Sequence, residues 1–396
     1  NDNMNNVNGI DYLDDLDNDE GEKYMTFLPH SGLHNQRIGF ENAIFMAWFL
    51  NRTLVMPPAL LGTRFQYIRI KQRIKYLKAE SVDSICENIE YTSEKQKCKM
   101  FHNSYTLYPF DQLFNFTFAR QHVKIMNVPD YNDNTVFKML NITKRKEVYY
   151  SLTRNLNNKL YDTEAKSNIK KLKGNTFIKL QSLQELREHP EKLLYFGSLF
   201  GSSRIITNLQ SSKYFLTTLR LSLVPIDPIM LSVVGSIAEK LGGAGEYISA
   251  HARGGDHTFK ETREEHFAML VKNIDENFPE ASKYSTSLKT CPLSFTKPEN
   301  NKNRIIYVAS DLDKNDESMK IFLKEFPCLK MLSDFTDQLE PYQHFINPVD
   351  NKVMRNYLMP LTDLMVAANS LKVFAIKGST YGVYMEKYNS ILSMNI

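Results

Sequence analysis

The chain has 396 residues, of which 42% are hydrophobic and 24% are charged, as in ordinary globular proteins. This length predicts two or three domains with a large buried core. The formal net charge of +4 is too small for a general binder of nucleic acid or of membrane surfaces. No run of about 18 apolar residues occurs in the sequence, so we expect no membrane-spanning helix.

The first 21 residues form an acidic segment that contains no Lys or Arg and is rich in Asn and Asp. Such a composition cannot bury enough apolar surface to fold, so residues 1–22 are predicted to be a disordered tail or the remnant of a stalk. The rest of the chain is therefore basic and suits an anionic ligand. The chain does not begin with Met and shows no signal peptide. We expect a processed or excised protein, attached to a membrane only if an anchor precedes residue 1.

The folded part begins with a strand at residues 24–28, a helix at 38–50 and a strand at 53–56 that ends at two prolines. A strand, helix and strand within this length form a βαβ unit. Further elements predicted in the first half are a helix at 69–78, a strand at 174–179 and a helix at 183–193.

The second half alternates between helices and strands. The predicted helices lie at 227–241, 261–278, 316–326, 353–370 and 382–388, and the predicted strands at 246–251, 304–309 and 372–376. This alternation indicates parallel sheets covered by helices on both faces. We therefore predict an α/β fold with two Rossmann-like, doubly wound domains, residues 23–220 and 221–396, that face a cleft.

In open α/β sheets, ligands bind beyond the carboxyl ends of the strands. One loop there is His251-Ala-Arg253-Gly-Gly-Asp256. Alternation places His251 and Arg253 on one face of the extended segment, and an Arg at a strand end suits bidentate phosphate binding. Asp256 would orient Arg253 or accept a sugar hydroxyl. A purely structural Arg–Asp pair explains the same residues.

A second candidate loop, Gly378-Ser379-Thr380-Tyr381-Gly382, opens the last predicted helix. Hydroxyl and amide groups at a helix N-terminus form an anion site. Ordinary capping of the helix by Ser379 or Thr380 is the alternative, and both can hold together.

Two more loops carry weaker signals. The loop from Gly32 to Arg37 is neither a dinucleotide fingerprint nor a P-loop, so nothing favours NAD or ATP. Zinc binding by His30 and His34 is disfavoured because Gly32 lies between them. Asp311-Leu-Asp313 either chelates a metal that holds a nucleotide-sugar diphosphate or begins a helix.

The cysteines are Cys86, Cys98, Cys291 and Cys328. Their even number allows two disulfides in three pairings, or buried thiols. Because one pair lies in each half, we predict Cys86–Cys98 and Cys291–Cys328 if the protein is secretory. The glycosylation sequons begin at Asn51, Asn115 and Asn141, and in a chain this rich in Asn they support a secretory address only weakly.

Taken in order, these loops resemble the GDP-fucose protein O-fucosyltransferase family and related fucosyltransferases. Residues 27–58 are similar to the family's Gly-x-x-Asn-Gln loop with its following helix and strand, and His251-Ala-Arg253 is similar to its H-x-R phosphate motif. Residues 306–311 resemble its VYVATD strand, and residues 363–381 resemble its segment from D-L to G-x-x-S-S-F. The resemblance covers about residues 24–60 and 225–390.

This resemblance implies an inverting, metal-independent fucosyltransferase of GT-B fold that uses GDP-fucose and no cofactor. Arg253 would bind the β-phosphate and stabilise the leaving GDP, supported by His251, and Asn35 would lie at the reacting centre. The other donor-binding positions implied are Gly32, His34, Asp311, Ser379, Thr380 and Tyr381, which replaces a Phe of the family. The general base stays open among Asp256, His30 and His34.

The implied acceptor is a protein Ser/Thr or a hydroxyl of a protein-linked glycan, and the implied location is the lumen of the ER or Golgi. Two alternatives stay open. The chain could use another nucleotide sugar, or it could be an inactive module that binds glycan or protein on the same scaffold.

Overall fold

The computed structural model describes residues 21–29, 31–62, 93, 95–96, 104–130, 132–151, 158–163, 179–255, 257–297, 303–376 and 378–394. Several sequence predictions lie outside the described residues: the tail to residue 20, the helix at 69–78, the strand at 174–178, and His30, Cys86, Cys98 and Asp256.

The elements of the first half are, in chain order, β1 (Tyr24–Phe27), α1 (Leu33–Leu50), β2 (Thr53–Met56), β3 (Ala59–Gly62), β4 (Tyr105–Tyr108), α2 (Phe110–Leu113), α3 (Thr117–His122), β5 (Ile125–Asn127), α4 (Asp133–Met139), β6 (Val148–Ser151), β7 (Asn158–Tyr161), β8 (Lys179–Ser182), α5 (Leu183–Arg187), β9 (Leu193–Phe196), β10 (Ile205–Ile206) and α6 (Gln210–Ser222).

The elements of the second half are α7 (Pro228–Lys240), β11 (Ile248–Ala252), α8 (His257–Asn277), α9 (Pro279–Ser287), β12 (Ile306–Ser310), α10 (Lys320–Glu325), α11 (Arg355–Ala368), β13 (Lys372–Ala375) and α12 (Thr380–Ser393). Short 3-10 turns lie at Arg145–Glu147, Glu317–Met319, Leu332–Asp334 and Glu340–Gln343.

The first half is built on a five-stranded sheet of order β5-β2-β1-β9-β6, in which every described pairing is parallel. The central strands β1, β2 and β9 are buried along their whole length, as expected for a parallel sheet covered on both faces. Phe27 pairs with Phe196, so the loops after β1 and β9 leave the same edge of the sheet.

The second half contains a three-stranded parallel sheet of order β12-β11-β13, with β11 at its centre. Smaller sheets are formed by β10-β7-β8, which is parallel, and by the antiparallel pair β3-β4. The predicted α/β class with parallel sheets is confirmed. The division of the chain into domains at residues 220 and 221 stays a prediction.

Helix α1 differs from its prediction. It begins at Leu33 instead of residue 38, with Gly32 as its N-cap, and nearly all of its residues are buried. A helix that is buried all round lies inside the fold, not on its surface. Its first turn therefore buries His34 and leaves Asn35 half-buried beside it.

The predicted helix at 183–193 is wrong in its second half. Helix α5 ends at Arg187, and Leu193–Phe196 forms strand β9 between β1 and β6. Pro190 disfavours helical backbone at the residue before it. The apolar run after Pro190 is buried as a central strand because it completes the hydrogen bonding of both neighbours.

Helix α12 joins the end of the chain to the first half. The Tyr384 hydroxyl donates to the Leu223 carbonyl at 3.1 Å, and the Lys387 amine donates to the Arg220 carbonyl at 2.6 Å. The Arg37 guanidinium lies 3.8 Å from the centre of the Tyr384 ring, a cation–π contact. These bonds set the N-terminus of α12 against the N-terminus of α1. Among the described residues, no helix is both long and apolar enough to cross a membrane.

Candidate active site

A cavity of about 540 Å³ lies where the N-termini of α1 and α12 meet the carboxyl ends of β11 and β12. Its walls contain residues from all four loops that the sequence singled out. Those residues are Gly32, His34, Asn35, His251, Arg253, Asp311, Asp313, Thr380 and Tyr381. Chain segments separated by more than 300 positions are thus brought to one place.

Strand β11 positions His251 and Arg253. The strand is buried throughout between β12 and β13, and Arg253 follows its last residue. The Arg253 guanidinium lies 4.7 Å from the centre of the Phe259 ring, a contact that limits the orientation of the long side chain. The predicted structural pair with Asp256 lies outside the described residues. Arg253 itself lines the cavity, as an anion-binding role requires.

Asp311 fixes the turn that follows Arg253. Its carboxylate accepts hydrogen bonds from the backbone N–H of Gly254 at 2.9 Å and of Gly255 at 3.2 Å. A β-carbon on Gly255 would lie 2.8 Å from the Asp311 carboxylate, so a larger residue there would displace that carboxylate. Asp311 therefore holds the backbone beside Arg253 and also forms part of the cavity wall.

Two buried imidazoles flank Tyr381. His34 and His251 are 6% and 4% exposed, and their rings lie 4.7 and 4.9 Å from that of Tyr381. Both ring nitrogens of His34 and Nδ1 of His251 lack a hydrogen-bond partner, although both residues line the cavity. A buried polar atom without a partner is costly. The three nitrogens are themselves buried from solvent, and Nδ1 of His251 faces Gly382 at the start of α12.

Burial controls the charge of both imidazoles. It lowers the pKa of His251 to about 3, with a further contribution from the Arg253 charge. It also lowers the pKa of His34 well below its ordinary value, and the charges of Arg37 and His251 act in the same direction. Desolvation disfavours the imidazolium form. Both side chains are therefore neutral near pH 7.

Asn35 connects the two loops that open α1 and α12. Its amide donates to the Ser31 hydroxyl at 2.8 Å, and its carbonyl oxygen accepts from the Thr380 hydroxyl at 2.8 Å. Ser379, which is 1% exposed, caps α12 by accepting from the Gly382 N–H at 3.2 Å. Of the two predicted phosphate-binding hydroxyls, Thr380 lines the cavity, whereas that of Ser379 is engaged in capping.

Asp363 lines the cavity, although the sequence motif that begins with it assigned it no role. It lies on α11 and accepts a hydrogen bond from the Tyr307 hydroxyl at 2.5 Å. Burial raises the pKa of Asp363 to about 7, and the bonds from Tyr307 and from the Ser310 backbone oppose that rise. The sequence does hold one signal for a functional Asp363, because it is an acid within the largely apolar helix segment Leu358–Ala368. A charged side chain in such a segment is rarely buried without a role.

The Asp-x-Asp motif is engaged by backbone amides. Asp311 accepts from Gly254 and Gly255, and Asp313 accepts from the Asn315 N–H at 2.8 Å. Within the described part of the chain, no group of three or more His, Cys, Asp or Glu side chains is arranged to hold a metal ion. Asp313 thus holds a local turn, and the helical turn that follows is capped by Asp316 instead.

The predicted pairing of Cys291 with Cys328 is present as a disulfide. Asn51 and Asn141 are exposed at turns with positive φ, and Asn115 accepts a hydrogen bond from the Thr117 N–H at 2.9 Å. Their glycosylation stays a prediction.

Comparison with known proteins gives one short sequence match and several matches in structure. No family model matches the chain. A stretch of 40 residues, 10% of this chain, is 52% identical to O-fucosyltransferase 30 of Arabidopsis thaliana. The match spans only 8% of the length of that relative.

Several solved structures are similar to this chain in fold. One is POFUT1 in complex with GDP-fucose, at a TM-score of 0.42 and 14% identity, covering 93% of this chain and 94% of that one. Another is the NodZ alpha-1,6-fucosyltransferase, at a TM-score of 0.41 and 11% identity, covering 94% and 92%. The short sequence match is to an O-fucosyltransferase, in agreement with the resemblance that the sequence motifs predicted.

Proposed function

We propose that this protein is an inverting fucosyltransferase of GT-B arrangement that needs no metal ion. It would transfer fucose from GDP-fucose to a protein Ser/Thr or to a hydroxyl of a protein-linked glycan. The first domain would be built on the five-stranded sheet and the second on the sheet of β11, β12 and β13. The cavity between them would hold the donor.

One observation carries the proposal. The four loops that resemble fucosyltransferase motifs lie far apart in the sequence, yet residues from each of them line a single cavity. Each motif alone is short and has an ordinary structural explanation. Their convergence at the carboxyl ends of parallel strands, where α/β folds bind ligands, favours one shared ligand over separate structural roles.

Arg253 and the N-terminus of α12 supply positive charge for the diphosphate. As the acceptor oxygen attacks the anomeric carbon from the opposite face, the bond from that carbon to the β-phosphate oxygen breaks. The bonding electron pair leaves with GDP, and the acceptor hydroxyl gives its proton to a general base, for which Asp256, His30 and His34 are the candidates. Charge thus builds on the diphosphate, where a guanidinium and the amides of a helix N-terminus stabilise it. Such groups can replace a metal ion in this role.

Asp363 is suited to the guanine end of the donor. Guanine presents an N–H and an amino group side by side, and an ionised carboxylate accepts from both. The Tyr307 hydroxyl occupies one Asp363 oxygen and orients the group. A pyrimidine base cannot supply the same pair of donors, so Asp363 would favour GDP over UDP.

The neutral imidazoles and Asn35 are suited to the sugar. Sugar hydroxyls both donate and accept hydrogen bonds, and a neutral imidazole offers one nitrogen for each purpose. His34 and His251 line the cavity, and both carry buried nitrogens without protein partners. A sugar hydroxyl that reaches a nitrogen of His34 would complete its hydrogen bonding and relieve the cost of leaving it unpaired.

A luminal location agrees with the disulfide between Cys291 and Cys328, since disulfides persist mainly in oxidising compartments. We therefore place the proposed activity in the ER or Golgi, with proteins or glycoproteins as acceptors.

The test is a panel of GDP-fucose, GDP-mannose and UDP-N-acetylglucosamine, with released nucleotide measured in the presence of EDTA and of a glycoprotein extract. We expect GDP release from GDP-fucose, stimulated by the extract and unaffected by EDTA. Turnover that EDTA abolishes and manganese restores would contradict metal independence. If only UDP-N-acetylglucosamine were turned over, the donor would be a UDP-sugar and not GDP-fucose. If the protein bound glycoproteins of the extract but turned over no donor, it would be a binding module.

A further inference from the structure

A second set of cavities opens beside the candidate active site. Two cavities of about 160 and 220 Å³ lie at the carboxyl edge of the five-stranded sheet, around the loop that follows β9. Thr380 lines the larger of these two cavities and also lines the 540 Å³ cavity. The space around Lys159 therefore adjoins the place where Thr380 meets Asn35.

The walls of these cavities are positively charged. Lys159 and Arg204 line both of them, and Lys179 lines the smaller one. The other described lining residues are apolar or uncharged, and none of them is Asp or Glu. A concave site with one sign of charge focuses the field and attracts a ligand of opposite sign.

The loop that shapes the cavities is firmly held. The Asn42 amide, on α1, donates to the carbonyls of Leu199 at 2.8 Å and Gly201 at 3.0 Å. The Arg204 guanidinium donates to the Phe200 carbonyl at 3.1 Å and to the Asn158 carbonyl at 2.8 Å. The site is thus formed before any ligand arrives, which reduces the entropic cost of binding.

Lys159 is the cation most directly placed for a ligand. Its amine donates to the Ser203 hydroxyl at 2.8 Å, at the rim of the 220 Å³ cavity. Burial lowers the pKa of Lys159, and the neighbouring Arg204 charge lowers it further. Two cations that repel each other across a concave wall are stabilised when an anion lies between them.

We propose that the cavities lined by Lys159, Lys179 and Arg204 bind the carboxylates of an acidic protein segment, and so select the acceptor. Each cavity is less than half as large as the 540 Å³ cavity, a size for one side chain instead of a nucleotide. A segment whose acidic side chains occupy them brings a neighbouring Ser or Thr hydroxyl toward Asn35 and Thr380. The inference rests on the proposed function for the identity of that hydroxyl as acceptor.

The test compares two fluorescein-labelled peptides of equal length with a central Thr, one flanked by Asp and Glu and the other by Lys. Binding to the full chain is measured by fluorescence anisotropy at low and moderate salt. We expect the acidic peptide to bind at least ~10-fold more tightly and to weaken as salt rises. Charge reversal by Lys159→Glu should weaken its binding by roughly 10-fold.

Lys213→Glu is the matched control, because Lys213 is exposed on α6 and the substitution changes the net charge equally. It should leave peptide binding unchanged, and both variants should bind GDP-fucose as the wild type does by calorimetry. Lys159→Gln, which removes the charge without reversing it, should give an intermediate loss. Thermal melts show that each variant is folded.

Equal affinity for the two peptides, or equal effects of Lys159→Glu and Lys213→Glu, would overturn the inference. If GDP-fucose is turned over and the acidic preference is absent, only the acceptor inference fails. If the acidic peptide binds through Lys159 and GDP-fucose neither binds nor reacts, the proposed function fails and the anion-binding cavities stand.

Discussion

Thr380 donates a hydrogen bond of 2.8 Å to Asn35, a residue 345 positions earlier in the chain. The bond joins the first turn of α12 to the first turn of α1. Asn35 is held from the other side by Ser31. One amide is thereby fixed by both halves of the protein at the wall of the cavity.

We predict that Thr380→Val, which keeps the shape and removes the hydroxyl, lowers kcat for fucosyl transfer by about 10-fold. Thr380→Ser should restore most of the rate because it keeps the donor. In the double-mutant cycle, Asn35→Ala should add little to Thr380→Val if both act through this bond. Fully additive effects on kcat would show that the two residues act independently.

Arg253→Ala should lower kcat by roughly 10²–10³-fold, the effect of removing one preorganised charge-stabilising donor. An interaction that strengthens as charge builds on GDP changes kcat more than KM. Arg253→Lys should recover little, since an ammonium lacks the planar fork. Initial rates at saturating GDP-fucose measure the effect, and Arg187→Ala, on an exposed residue of α5, is the control. If Arg253→Ala melts normally and retains the wild-type rate, Arg253 does not stabilise the leaving GDP.

The substitution His34→Phe tests whether His34 serves ligand binding or the stability of the fold. The Phe ring keeps the contacts with Tyr381 and Tyr384, and it removes two buried nitrogens that have no partner. We expect the free energy of unfolding to stay equal or to rise by about 1 kcal/mol. We also expect KM for GDP-fucose to rise several-fold. A destabilised variant with unchanged KM would assign His34 a structural role.

The affinity for GDP should depend on pH through Asp363. Its pKa of about 7 means that the carboxyl takes up a proton as the pH falls through neutrality and then loses an acceptor for guanine. Kd for GDP should therefore increase roughly 10-fold between about pH 8 and pH 6. Asp363→Asn serves as the control, because GDP's own titration remains in the variant. Parallel pH profiles for the two proteins would exclude Asp363 from guanine binding.

Several features could be predicted from local sequence. The strand at 53–56 and the helix that follows Asp227 were placed to within a residue or two. Apolar periodicity, prolines and capping residues act over a few positions, so a short stretch of sequence is enough to recognise them. The same holds for the loops with His251, Arg253 and Asn35, whose residue types suit an anionic ligand.

The tertiary structure decided which side chains meet and what their environment does to them. The bond between Thr380 and Asn35 depends on the path of the whole chain, and no local pattern contains it. The pKa of Asp363 and the unpartnered nitrogens of His34 result from burial by distant elements. Strand β9, Leu193–Phe196, is placed by its pairing with β1 and β6, which come from distant parts of the chain. Local sequence determines which secondary structure a short segment prefers, whereas desolvation and long-range pairing arise only when distant segments pack together.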